Sequence, residues 1–99
     1  MLNQIILVGR LAKDIKVERL DDNSKVATMT LAVPRSWKNE EGIYETDFIP
    51  IEIFGVVAEN TSNYCHKGDV IGVKGRIENN NGVVIKGEKI TFLSSKAGE

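Results

Sequence analysis

Cysteine occurs once, as Cys65, so the chain cannot form an internal disulfide and suits a reducing compartment. Histidine also occurs once, and one Cys with one His cannot supply the usual tetrahedral zinc set. No apolar run approaches the ~20 residues that span a bilayer. The N-terminal "MLNQIILVGRL" has neither the basic start nor the long apolar region of a secretory signal. These absences point to the cytoplasm. Internal repeats, low-complexity tracts and long linkers are missing too, so the 99 residues are expected to form one domain, with residues 94–99 as a loose C-terminal end. Nor is there an excess of positive charge: 13 Lys and Arg stand against 14 Asp and Glu, a net charge of −1. A protein that holds nucleic acid by charge alone is usually strongly basic. This chain must therefore bind something else or concentrate its cations locally.

What is present is a series of short stretches rich in β-branched residues, separated by turn signals. A first strand covers roughly residues 3 to 12, with Ile5, Leu7 and Leu11 on one face and Ile6 and Val8 on the other. A shorter extended piece, Val17 to Leu20, ends at the polar "DDNSK". The second strand, "VATMTLAV", stops at Pro34, and a polar loop, "KNEEGIYET", leads to the third, "TDFIPIEIFG". The only helix is expected in "VVAENTSNYCHKGD", where Val57, Thr61, Tyr64 and Cys65 fall at helical spacing and Gly68 provides a stop. The fourth strand, "VIGVKGRIE", has Ile71, Val73 and Ile77 facing in and Lys74 and Arg76 facing out. After the hairpin signal "NNNG", the chain returns as a fifth strand, "VVIKGEKITFL". Five strands with one short helix between the third and fourth predict an all-β fold, the OB-fold, a five-stranded Greek-key barrel.

The third strand poses a question. Ile49, Ile51 and Ile53 share one face, while Phe48, Pro50, Glu52 and Phe54 share the other. A glutamate between two large rings does not describe a dry interior. The rings are six positions apart along the strand, about 20 Å, too far to pack on each other. Trp37, the only tryptophan, follows Arg35 and precedes Lys38 at a strand end. Single-stranded nucleic acid is a partner suited to such rings, since unpaired bases stack on aromatic faces while Lys and Arg track phosphates. Arg10, Arg35, Lys38, Lys74, Arg76, Lys86 and Lys89 are the candidate cations, with the acids grouped in the loops "LDDN" and "NEEGIYETD".

Each of these residues also has a structural reading. Phe48 and Phe54 would equally cover a strand buried on both faces or a subunit contact. Trp37 would serve as a loop anchor, and Lys74 and Arg76 as an ordinary solvated strand face. Catalysis has little to rest on. Cys65 and His66 are adjacent at a helix end, point in different directions and lack a third orienting group. "DDNSKVATMT" lacks calcium-loop spacing, "GVKG" and "VVIKGEK" lack complete phosphate-binding motifs, and Ser36, Ser94 and Ser95 sit in no nucleophile elbow. No enzyme, metal site or cofactor is expected.

"MLNQIILVGRLAKD", "VATMTLAVPRSWKNEEG", "TDFIPIEIFGVVAENTSNYCHKGDVIGVKGRIE" and "ITFL", in that order, resemble the bacterial and phage single-stranded DNA-binding proteins. The resemblance runs to about Leu93. It implies a non-catalytic OB-fold protein that binds single-stranded DNA with little sequence preference in replication, recombination and repair. It implies homo-oligomers too, tetramers in preference to dimers, with the Ile6 and Val8 face as the meeting surface. Carried over by position, Trp37, Phe48 and Phe54 match the family's stacking aromatics. Two departures stand out. The hairpin between the last two strands, "ENNNGVV", lacks the family's long basic arm and its further aromatic. From Leu93 the sequence reads "LSSKAGE", without the flexible linker or the acidic tip through which relatives recruit replication and repair proteins. Two other readings stay open: a primosomal-type OB module that mainly bridges proteins, and single-stranded RNA as ligand.

Overall fold

The computed structural model describes residues 1–95. Its elements run β1 (Ile5–Leu11), β2 (Val17–Arg19), β3 (Lys25–Lys38), β4 (Tyr44–Phe54), α1 (Gly55–Tyr64), β5 (Val70–Asn79) and β6 (Val83–Ser94). Ser94, expected in the loose end, is thus the last residue of β6, and residues 96–99 of that expected end lie outside the described residues.

The five long strands form the expected OB barrel, in the order β1-β5-β6-β4-β3, closed by a β1–β3 pairing. Four contacts in this ring are antiparallel, and β4 with β6 is parallel, through Ile51 opposite Ile85 and Glu52 opposite Lys86. The short β2 shares an edge of β3 with β1. It pairs with Lys25 to Ala27, and β1 takes over at Leu31 and Ala32. Such closure removes the open edges of the barrel strands, which otherwise invite pairing with other chains.

Period-two alternation decides which residues fill the barrel. Ile51 and Ile53 from β4, Met29 and Leu31 from β3, Ile71 and Val73 from β5, and Leu11 from β1 are all buried. Each such side chain stabilises the fold by about 1.5–3 kcal/mol relative to exposure. Two inward expectations fail. Ile77 is 41% exposed, because β5 runs on past the end of the core toward its hairpin. Tyr64 is 74% exposed, since α1 presents Ala58 and Thr61 to the core and turns Tyr64 away.

The helix also ends earlier than "HKGD" suggested. Gly55, at φ +60°, lets the chain turn out of β4, and α1 stops at Tyr64 with Cys65 already extended. Backbone pairing with β1 claims the residues beyond it: the Gly68 N–H donates to the Leu11 carbonyl and the Leu11 N–H to the Asp69 carbonyl, both at 2.8 Å. Tertiary hydrogen bonds have overridden helical spacing here.

Pro34 does not end its strand either. β3 continues to Lys38 and pairs through Pro34 opposite Thr46, with an irregularity between Pro34 and Lys38. β1 has left β3 at Ala32, so Pro34 lies where β3 is an edge, and an edge tolerates a residue without an N–H. The result is a hairpin arm, closed by a turn in which Asn39 Oδ1 accepts from the N–H groups of Glu41 and Ile43.

β5 and β6 approach each other closely at a pair of facing glycines, Gly75 and Gly87. A Cβ on Gly75 would sit 2.1 Å from the Lys86 carbonyl oxygen, and one on Gly87 would sit 2.8 Å from Ile53 Cγ2. Gly75→Ala is expected to lower unfolding free energy by about 1–3 kcal/mol, the usual cost of overpacking, in urea titration. An unchanged midpoint would show that the two strands can part without loss.

Candidate nucleic-acid interface

The outer face of β3 and β4 is read off their register. Going along the strands, Phe54 lies opposite Val26, Glu52 opposite Thr28, Pro50 opposite Thr30 and Phe48 opposite Ala32. On the β3 side, therefore, both rings face small side chains, Val26 and Ala32. Phe48 is 65% exposed, Phe54 42% and Trp37, out on the arm, 64%. In this protomer none of the three is sealed in the core or tucked against the barrel. Exposing rings of this size forgoes their burial, and such exposure is a mark of a binding surface.

Glu52, the charge between the rings, has a partner. It accepts a 2.6 Å hydrogen bond from Lys86 Nζ, and that ammonium lies 4.5 Å from the centroid of the Phe54 ring. Lys86 is consequently well covered and its stem lies along β4. Phe54 thus has a cation against its face and a carboxylate holding that cation in place. On the arm, Lys38 Nζ stands 5.6 Å from the Tyr44 ring across the hairpin, and Tyr44 is itself exposed.

The acids are not confined to loops as expected. Glu45, Asp47 and Glu52 lie on β4, Glu78 on β5 and Glu88 on β6. Arg35 forks onto Asp47, with Nε and Nη2 each 3.0 Å from a carboxylate oxygen, and its Nη1 donates to Glu45 at 2.6 Å. Arg76 donates from Nε to Glu78 at 2.8 Å and from Nη1 to Glu88 at 3.0 Å. The Arg35 hydrogen bonds hold Asp47 below the usual carboxylate range, and those of Arg76 do the same for Glu78. Strand pairing causes this mixing. Hairpin partners bring Arg35 to Glu45 and Asp47 and Arg76 to Glu88, Glu78 lies two residues along the same strand as Arg76, and the β4–β6 pairing brings Lys86 to Glu52.

The remaining cations fall into two places. Lys74 and Lys89 are directly opposite each other on β5 and β6, and Lys74 is also opposite Ile6 of β1. Lys74 thus lies two strands from β4, whereas Lys89 is on β6, the strand that pairs with β4 through Ile85 and Lys86. Arg10 lines a cleft of about 390 Å³ with Phe48, Ala32, Lys67 and Gly68, and its Nη1 donates to the Gly68 carbonyl at 2.8 Å. The structure thus joins Arg10 to Phe48, Lys86 to Phe54, and Lys38 to the Trp37 arm. Lys67 and Tyr44 were missed in the sequence. Only the hairpin register could have revealed Tyr44, and only the β1 contact of the turn after α1 could have revealed Lys67.

Cys65 offers no chemistry at this surface. It is buried, and burial first, then the Asp69 charge, pushes its thiol pKa up, which leaves it protonated and unreactive at neutral pH.

A closed barrel carrying exposed, well-separated rings along one outer face defines a binding protein of the OB class. Comparison with known proteins narrows the class. Residues 2–93 match the model of the single-strand binding protein family. A single-stranded DNA-binding protein of Streptococcus mutans is 41% identical over 90 residues, covering 91% of this chain and 55% of the relative. Single-stranded DNA-binding protein B of Bacillus subtilis is 46% identical over 78 residues, covering 79% of this chain and 69% of the relative. A crystal structure of a deletion mutant of the single-stranded DNA binding protein from Thermus aquaticus superposes with a TM-score of 0.77 at 22% identity, over 97% of this chain and 52% of that one. The chain belongs to the single-strand binding protein family. It spans between 55% and 69% of the length of these two curated relatives.

The paired carboxylates give a pH signature. Asp47, Glu59 and Glu78 have folded-state pKa values lowered by hydrogen bonds from Arg35, Lys25 and Arg76. Stability from a depressed carboxylate is fully present above its unfolded value and is lost as pH falls through its folded one. The melting temperature should therefore stay level between about pH 7 and 5 and fall below about pH 4, with a shallower fall in Asp47→Asn. A decline already complete by pH 5 would contradict this assignment.

Proposed function

We propose that this chain is a non-catalytic OB domain that binds single-stranded DNA with little sequence preference, in the replication, recombination and repair of DNA in the cytoplasm. The observation that carries the reading is the exposure of Trp37, Phe48 and Phe54 on one barrel of known family. Every base has a π face, so stacking on these three rings tolerates any sequence at roughly 1–3 kcal/mol per base. The names of the two curated relatives support the same ligand. Arg10, Arg35, Lys38, Lys74, Arg76, Lys86 and Lys89 would supply the phosphate contacts, joined by Lys67 beside Phe48.

The active form is a homo-oligomer, a tetramer rather than a dimer. Ile6 and Val8 are 69% and 53% exposed on the outer face of β1. Next to them, Leu93 lies over Gly72, where a Cβ would come within 3.7 Å of Leu93 Cδ1. Gly72 is opposite Val8, so Ile6, Val8 and Leu93 make one apolar patch suited to a second copy.

Titration with oligo(dT) is expected to quench Trp37 fluorescence, and Phe48→Ala to weaken binding about 5- to 150-fold, the equivalent of one lost stacking contact. Unchanged emission with protein and oligonucleotide both in the micromolar range at low salt would overturn the reading. Light scattering should give a mass near four times 11.0 kDa, and an Ile6→Asp change should lower it. A wild-type monomer at micromolar concentration would refute the assembly.

A further inference from the structure

The cations of the interface are engaged before any ligand arrives. Arg35 has three of its donor nitrogens on Asp47 and Glu45, Arg76 has its own on Glu78 and Glu88, and Lys86 is on Glu52. Five carboxylates therefore hold three cations, so these ion-pair networks together carry more negative than positive charge. A phosphodiester cannot approach any of the three without meeting an anion already seated there. The Arg35 and Arg76 pairs are open to solvent, with both partners roughly one-third to one-half exposed. Exposed pairs of this kind contribute little net stability and are weak enough for a dense row of phosphates to displace.

We propose that Glu45, Asp47, Glu78 and Glu88 act as intramolecular competitors of DNA phosphate, so that binding exchanges carboxylate for phosphodiester at Arg35 and Arg76. This rests on the reading of the chain as a single-stranded DNA binder. The exchange has a consequence for salt. A cation neutralising a phosphate normally releases a counterion from the strand, giving a log–log slope of about −0.7 per contact on single strands. Here the displaced carboxylate takes up a counterion in turn. The two clamped arginines then add almost nothing to the slope, which reports the other cations. The surface is thereby set to bind by stacking and to stay moderate in affinity for bare polyanions.

The experiment is fluorescence anisotropy of a labelled oligo(dT) across a series of salt concentrations, with wild type, Glu45→Gln/Asp47→Asn and Glu78→Gln/Glu88→Gln. These amides keep the carboxylate shape while removing its charge, and the two sites lie on different strands, so a local folding defect in one leaves the other informative. Circular dichroism melts identify such a defect. Each double variant is expected to bind about two- to fivefold more tightly at low salt and to steepen the slope by about 0.7. Folded variants with unchanged affinity and slope would overturn the exchange. Weaker binding would overturn it as well, since it would show that the carboxylates orient the cations for DNA rather than compete for them. A wild type that binds at no salt concentration would instead remove the reading of function itself, and the exchange with it.

Discussion

The two-residue repeat of β4 is the constraint on which everything else turns. This strand is paired on both sides, antiparallel to β3 and parallel to β6, and its register cannot slip by one residue without sending Ile51 and Ile53 into water. Locking the isoleucines inward forces Phe48, Pro50, Glu52 and Phe54 outward. The energy that holds the barrel together is therefore the same energy that displays the rings. Gly55 then turns the chain directly after Phe54 and starts the helix that plugs the barrel with Ala58 and Thr61. Core, cap and binding face all derive from one strand.

Charge plays a different part from the one net composition suggests. A chain of net charge −1 can still bind a polyanion if its cations are gathered, yet the sheet gathers acids with them. Arg35, Arg76 and Lys86 are each countered within the fold, and Lys74 sits two strands from the phenylalanines, with Lys89 on the strand between. The proposed binding mode accordingly assigns the larger contribution to stacking and the smaller to electrostatics. The Glu52–Lys86–Phe54 contact shows the two combined at one point, with an anion, a cation and a π face in a single row.

Much of this was legible in the sequence where the signal was local. Alternation in "TDFIPIEIFG" separated the buried isoleucines from the exposed phenylalanines, and turn residues marked the strands, the helix and the tight hairpin at "NNNG". What the sequence hid was long-range. Pro34 read as a strand end because its tolerance depends on β1 having departed at Ala32, a fact of topology. The helix read too long because the N–H of Gly68 and the carbonyl of Asp69 serve β1 instead. The acids read as loop residues because Glu45 and Asp47 lie in a stretch whose pairing with β3 extends beyond the core. Lys67 and Tyr44 carry no pattern of their own and acquire meaning only from what they face.

The most direct test of the account is a triple variant, Trp37→Ala, Phe48→Ala and Phe54→Ala, compared with wild type for fold and for binding of labelled oligo(dT). All three side chains project outside the core, so the account predicts an unchanged circular dichroism spectrum, a melting temperature within a few degrees of wild type, and binding reduced below detection at micromolar protein. A folded triple variant that still bound with wild-type affinity would show that the rings are not where bases lie.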